Sequence, residues 1–389
     1  MKVSGSADLP LHSGHVPAWM LAVMKRLAHA IVKYMVDARG PEAVLGMLAD
    51  PLWFQAFNNV IGMDWDSSGS TTIVLAVLKD VSWKEDLGFL VLGGKGRHML
   101  EVPREAVDAA IRLDLDPETV RVFSKVAARI DSVFLQDGYQ LYIHGVAVSR
   151  GGHAVVVQQG MNAESGYARR YHVVEESLDN PHSGVAGIPG NSILNSLGED
   201  NRHARDVYAE IAVEGPRRFE RLLREANRRV EQCMHAGRPG LYKFFNVQDI
   251  RLDSDCEVRP YYEPVPPSRS LLENVSRLGS ALSVGVPLRV APGLGPKTLR
   301  ALALIADIIY GVPTRYDSPV THPLNPYVYA HAVGGKDGVP YPFDPGTARE
   351  AVEFLLEALD KSRLDAMERR RALERLRRRM RLLFGDNNI

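Results

Sequence analysis

The sequence is poor in cysteine, with only Cys233 and Cys256 in 389 residues. Neither a disulfide framework nor a Cys-rich zinc site can be built from two thiols, and Cys233, in the last turn of an expected helix, reads as inert packing. No apolar run approaches the roughly 20 residues that span a bilayer, and the first residues lack the charged, apolar and small-residue order of a secretory leader. The expectation is a cytoplasmic protein with no membrane partner. Net charge is missing too, since 47 Lys and Arg balance 47 Asp and Glu. Lysine is scarce at 11, so 36 of those bases are arginine, the residue suited to bidentate contact with phosphate or carboxylate. What remains is an ordinary globular composition, 45% hydrophobic and 24% charged, long enough for two or three domains.

Helical spacing comes first. Trp19, Val23, Leu27, Ile31 and Met35 lie four apart, which predicts an amphipathic helix preceded by a polar loop over 4–15. Further helices are expected over 41–59, 103–114 and 117–133, the last two opening on Pro near the first helical position. Residues 89–92 read as a buried strand ending in Gly93-Gly94-Lys95-Gly96, which lacks the Ser or Thr and the spacing of a nucleotide P-loop. Residues 139–148 and 153–159 are β-rich and joined by Ser149-Arg150-Gly151-Gly152, a hairpin signal, with 171–174 a further strand. After a polar loop over 182–199 and a stretch over 202–234 that contains a helix with Phe219, Leu222, Leu223, Ala226 and Val230 on one face, the Pro-rich stretch 260–267 reads as an extended linker. The fold class is therefore α+β. Residues 1–263 form a mixed domain with a small antiparallel sheet that carries any substrate chemistry, and 268–389 form a helical domain. That second part closes on a basic helix over 347–384, where 361–381 hold ten bases against three acids.

One segment has a mechanism attached. In Pro292-Gly293-Leu294-Gly295-Pro296-Lys297-Thr298 two glycines let backbone approach a partner, and Pro296 starts a helix whose first amides point outward. Such a corner binds phosphate through N–H groups and the helix dipole, Lys297 adding charge and Thr298 a hydroxyl, with Leu294 packing inward. The stretch resembles a helix-hairpin-helix motif, which implies a grip on the duplex DNA backbone without base reading. In the helix-hairpin-helix DNA glycosylases an Asp follows the second helix after a Gly-x-Pro, and Asp317 occupies a similar place here. Lys336, in the Gly-rich loop after His331, is a further phosphate candidate.

The N-terminal part offers polar candidates. Asp137, Gln140, His144 and Gln158 sit at the edges of the expected β-hairpin, and Gln140, Tyr142 and His144, two apart, are expected on one strand face. Asp137 and His144 are the candidate catalytic pair. A divalent metal is the candidate cofactor, with Asp8 and His12 its candidate ligands. Arg169 and Arg170, interleaved with Tyr167, Tyr171 and His172, suit contact with a single strand or flipped base.

Across most of its length the chain resembles domain-of-unknown-function family 763 of archaeal and bacterial proteins. The resemblance rests on Gly5-Ser6-Ala7-Asp8-Leu9-Pro10-Leu11-His12-Ser13-Gly14, on blocks at 136–142, 158–162 and 168–172, on 293–298, and on 331–342. The function expected is DNA binding, with processing or repair by hydrolysis of a phosphodiester or N-glycosidic bond. The alternatives are a non-catalytic DNA-binding scaffold and an enzyme on a phosphorylated small molecule.

Overall fold

In the computed structural model, which describes residues 5–10, 16–62, 68–178, 185–187, 193–236, 263–315, 318–320, 322–323 and parts of 353–374, the first apolar stripe becomes α1 (Ala18–Arg39). Its buried face is Met24, Leu27, Ala28, Ile31, Val32 and Met35, while Trp19 is exposed. The helix expected over 41–59 is two helices, α2 (Glu42–Ala49) and α3 (Pro51–Ile61). They part at Asp50, whose extended conformation is what a following proline imposes. The apolar run 73–78 lies within α4 (Gly69–Lys84). After strand β2 (Phe89–Lys95) come α5 (Val102–Leu113) and α6 (Pro117–Arg129). Asp114 in the left-handed region stops α5, and the Asp116 carboxylate accepts the N–H groups of Glu118 and Thr119 at the start of α6.

The sheet is larger than expected. Residues read as a polar loop form β1 (Gly5–Pro10), and it joins β4 (Gln140–Ser149), β5 (Ala154–Asn162) and β6 (Tyr167–Val174). With the short β7 (Val185–Gly187) and β9 (His322–Pro323), numbered in chain order around β3 (Leu135–Gln136) and β8 (Leu194–Asn195), the strand order is β2-β4-β5-β6-β1-β7-β9. Pairing is antiparallel from β2 to β1 and parallel for the last two steps. Ile143, Ala147, Val155 and Val157 pack against α1–α4, while Val146, Val148, Val156 and Val173 pack against α5 and α6. Helices cover both faces, which is why these strands are nearly continuous in apolar residues instead of alternating.

The chain folds into two compact units. The sheet unit comprises Met1–Ala128, Gly138–Pro189 and Pro319–Ile389; the other comprises Arg129–Asp137 and Gly190–Ser318. This differs from a break at the 260–267 linker. The second unit takes in α7 (Arg202–Val213) and α8 (Pro216–Ala236) together with α9 (Arg269–Ser283) and α10 (Pro296–Tyr310). Packing decides this, not chain order: a side chain at Gly279 of α9 would lie 2.2 Å from the Ala212 carbonyl oxygen of α7. Cys233, near the end of α8, is disulfide-bonded rather than inert packing.

The basic tail goes to the sheet unit. Leu355, Ala358, Leu359 and Ala372 are buried in the core that α1–α4 build. Its bases are partly answered by neighbours, Lys361 by Glu357, Arg369 by Asp360 and Arg370 by Glu374. Leu359→Ala should therefore cost about 2–5 kcal/mol of stability, as core Leu truncations do. Urea unfolding measures it; a loss below about 0.5 kcal/mol would show that the tail is not part of this core.

Candidate nucleic-acid interface

The α9–α10 hairpin is built on a close approach of backbone to backbone. Ser268 caps α9 by accepting the Leu271 N–H, and beyond α9 a turn forms in which Ala291 N–H donates to the Pro287 carbonyl. The chain then turns at Gly293, at φ +82°, where a Cβ would lie 2.0 Å from the Asn274 oxygen of α9. No side chain fits there. Leu294 is buried, as its inward role requires. Gly295 is the N-cap of α10 in extended backbone with open space around it, Pro296 follows, and Lys297 is exposed. Thr298 departs from expectation: it is 1% exposed and packs inward with Ala301, Leu302 and Ile305. Its hydroxyl does not face solvent.

Two further residues, Arg129 and Gln136, hold the corner. Arg129 donates from Nη1 to the carbonyls of Arg289 (3.0 Å) and Ala291 (2.8 Å). Gln136 donates to the Pro296 carbonyl at 2.9 Å and accepts from Arg300 at 3.1 Å, tying it to the first turn of α10. Arg205 donates to the carbonyls of Ser196 and Gly198, each at 2.7 Å. Burial holds the Arg129 guanidinium below its ordinary pKa; Arg205 is lowered by burial and then by the charge of Arg289. Among the described residues neither Arg129 nor Arg205 makes an ion pair. This unit thus carries guanidinium charge whose donors are held by backbone carbonyls. Asp137, 9% exposed, lies in this same unit, one residue from Gln136.

The sheet unit places the other candidates differently. A β-bulge between Leu141 and Ile143 changes the register, so Tyr142 packs with the α1–α4 side while His144 faces α6. Gln140 is exposed and the expected shared face does not form. His144 and Gln158 do meet: His144 Nδ1 donates to Gln158 Oε1 at 2.8 Å, and Gln158 donates onward to the Ala127 carbonyl. The remaining ring nitrogen accepts the Ser124 hydroxyl at 2.8 Å, a partner that sequence spacing does not suggest. The amide orientation sets this tautomer. His144 and Asp137 fall in different units.

Arg169 and Arg170 are not at a strand end. Both are buried in β6, flanked by β5 and β1, and point to opposite faces. Arg169 lies over the Tyr139 ring and Arg170 over Phe54, at 4.3 and 4.4 Å. Arg170 also donates to His172 Nε2 at 3.0 Å, whose Nδ1 donates to the Leu48 carbonyl at 2.6 Å. These residues brace the sheet. Asp8 stands in register with Arg169 on β1; His12, Lys336 and Asp317 lie outside the described residues. Among the described residues no three His, Cys, Asp or Glu side chains gather to hold a metal.

Fold and hairpin define an α+β protein with a helical unit built around a glycine-tight corner. The chain belongs to DUF763, a family of proteins of unknown function whose model matches residues 5–343. No curated protein and no solved structure matches it. Among the described residues no helix is long and apolar enough to cross a membrane.

Two outcomes follow from this geometry. Burial, and then the Arg170 charge, lower the His172 pKa to about 3. The unfolded chain binds a proton below about pH 6.5 that the folded chain refuses. This residue therefore removes stability as pH falls from about 6.5 towards 3, by at most about 1.4 kcal/mol per pH unit. His172→Gln should flatten that part of the pH–stability curve relative to wild type; an unchanged slope would contradict the buried neutral imidazole. Separately, Gly293→Ala should lower the melting temperature by several degrees while Gly295→Ala leaves it within about a degree. Equal effects would contradict the corner.

Proposed function

We propose that this protein binds duplex DNA by its phosphate backbone, using the α9–α10 hairpin. The observation that carries the reading is the corner itself: Gly293 seated against α9, Lys297 exposed at the start of α10, and the Arg129 guanidinium on the Arg289 and Ala291 carbonyls, without an ion pair among the described residues. Phosphate contact of this kind is independent of sequence and falls steeply with salt. Lys297→Ala should weaken binding evenly across duplex sequences and reduce the salt slope by about one counterion, read by fluorescence anisotropy over a salt series. Unchanged affinity and slope in a fully stable variant would defeat the proposal.

A second reading adds DNA processing or repair by hydrolysis, and Asp137 favours it. What supports it is a nearly buried carboxylate in the hairpin unit, one residue from the side chain that bonds to α10. In this reading a divalent metal is the candidate cofactor. Asp137→Asn should then abolish cleavage or base excision in a metal-supplemented screen of damaged and branched DNA while affinity is retained. If an activity is found and survives this change, Asp137 has no part in it.

A further inference from the structure

Helix α8 presents a second charged surface in the hairpin unit. Its apolar side, Phe219, Leu222, Leu223, Ala226 and Val230, is buried. Directly opposite, Arg217, Arg221, Arg224 and Arg228 are all exposed. At 100° per residue these four fall within an arc of about 60°, and at 1.5 Å per residue they span about 16 Å of the helix axis. One strand of B-DNA presents about five phosphates over that length.

The charges on this ridge are unevenly answered. Arg224 pairs with Glu220 at 2.6 Å, and Arg228 pairs with Glu225. Arg217 and Arg221 have no ion pair among the described residues. The helix is also held firmly within its unit. Asn227 exchanges two hydrogen bonds with the backbone of Val265, at 2.8 and 2.9 Å, and Arg229 donates to the Ile308 carbonyl of α10 at 3.3 Å. The helix that carries the ridge is therefore held in place within its unit.

We infer that this ridge is a second nucleic-acid contact, tracking the phosphates of one strand, with Arg217 and Arg221 the residues that gain most from an anion. The inference rests on the DNA reading of the hairpin and extends its footprint. An acidic protein surface is the competing partner. It is disfavoured because the ridge carries no aromatic or aliphatic anchor of the kind that centres protein interfaces, whereas a straight row of about 16 Å matches the regular phosphate spacing of one strand.

The test uses the full chain and a random-sequence 20-base-pair duplex, comparing wild type, Lys297→Ala, the double variant Arg217→Ala/Arg221→Ala, and Arg217→Lys/Arg221→Lys. Both ridge positions are exposed, so melting temperatures should match wild type. The expected result is a salt slope reduced by about two in the double alanine variant and by about one in Lys297→Ala, with the lysine variant keeping the wild-type slope. A wild-type slope and affinity in the double alanine variant, with Lys297→Ala still impaired, would overturn the ridge and leave the hairpin standing. Failure of wild type to bind any duplex would overturn both. A loss of polyglutamate binding as large as the loss of DNA binding would also overturn the inference, since the ridge would then answer acidic chains in general.

Discussion

The hairpin unit depends on a contact that leaves no room for a side chain. Gly293 brings its backbone against the Asn274 carbonyl, and only a residue without Cβ at positive φ can do so. Everything after it inherits that position. Leu294 drops into the core, Gly295 caps α10, and Pro296 starts the helix with its first amides and Lys297 turned outward. Arg129 and Gln136 then hold the carbonyls on either side of the turn. A corner fixed at both flanks is preorganised, and in the proposed DNA reading it meets a phosphate without reorganising.

The sheet unit shows the opposite use of polar groups. Its buried arginines, histidines and glutamines are matched to one another and to carbonyls. Gln159 accepts from Thr71 at 2.5 Å and donates to the Ser68 carbonyl at 3.0 Å, on the face opposite the Ser124–His144–Gln158 chain. Lys79 and Glu105 do the same for Gly93 within β2. Glu105 accepts the Gly93 N–H at 2.7 Å and Lys79 donates to the Gly93 carbonyl at 2.8 Å. Such networks set strand register and helix seating, since each buried donor left unmatched would cost about 1–3 kcal/mol.

How much of this is legible in the sequence follows from how local each feature is. The stripe of α1, the starts of α5 and α6, the β4–β5 hairpin and the glycine corner all lie within short windows, and all stand in the structure. Strand β1 reads as a loop because its partner is β6, more than 150 residues away, and its own residues do not alternate. The shared face of Gln140, Tyr142 and His144 fails on a bulge, which one extra residue introduces without a sequence signature. Arg169 and Arg170 escape a local reading for a related reason, since a strand with neighbours on both sides and helices above and below buries even charged residues that find rings to stack on. Thr298 has a usable signal: its spacing from Ala301, Leu302 and Ile305 is that of an inward helix face. The roles of Arg129, Gln136 and Arg205 have none, being bonds to backbone carbonyls that no spacing rule marks.

In the proposed mode of binding, the α10 corner itself receives the phosphate. An amide-detected NMR titration of the isotope-labelled chain with a short duplex addresses it most directly, because it reports each backbone N–H at the corner. The Gly295, Lys297 and Thr298 amides should move first and saturably, and their shifts should collapse at high salt as screening grows. Shifts that spare these three amides while the duplex is demonstrably bound would contradict that mode of binding.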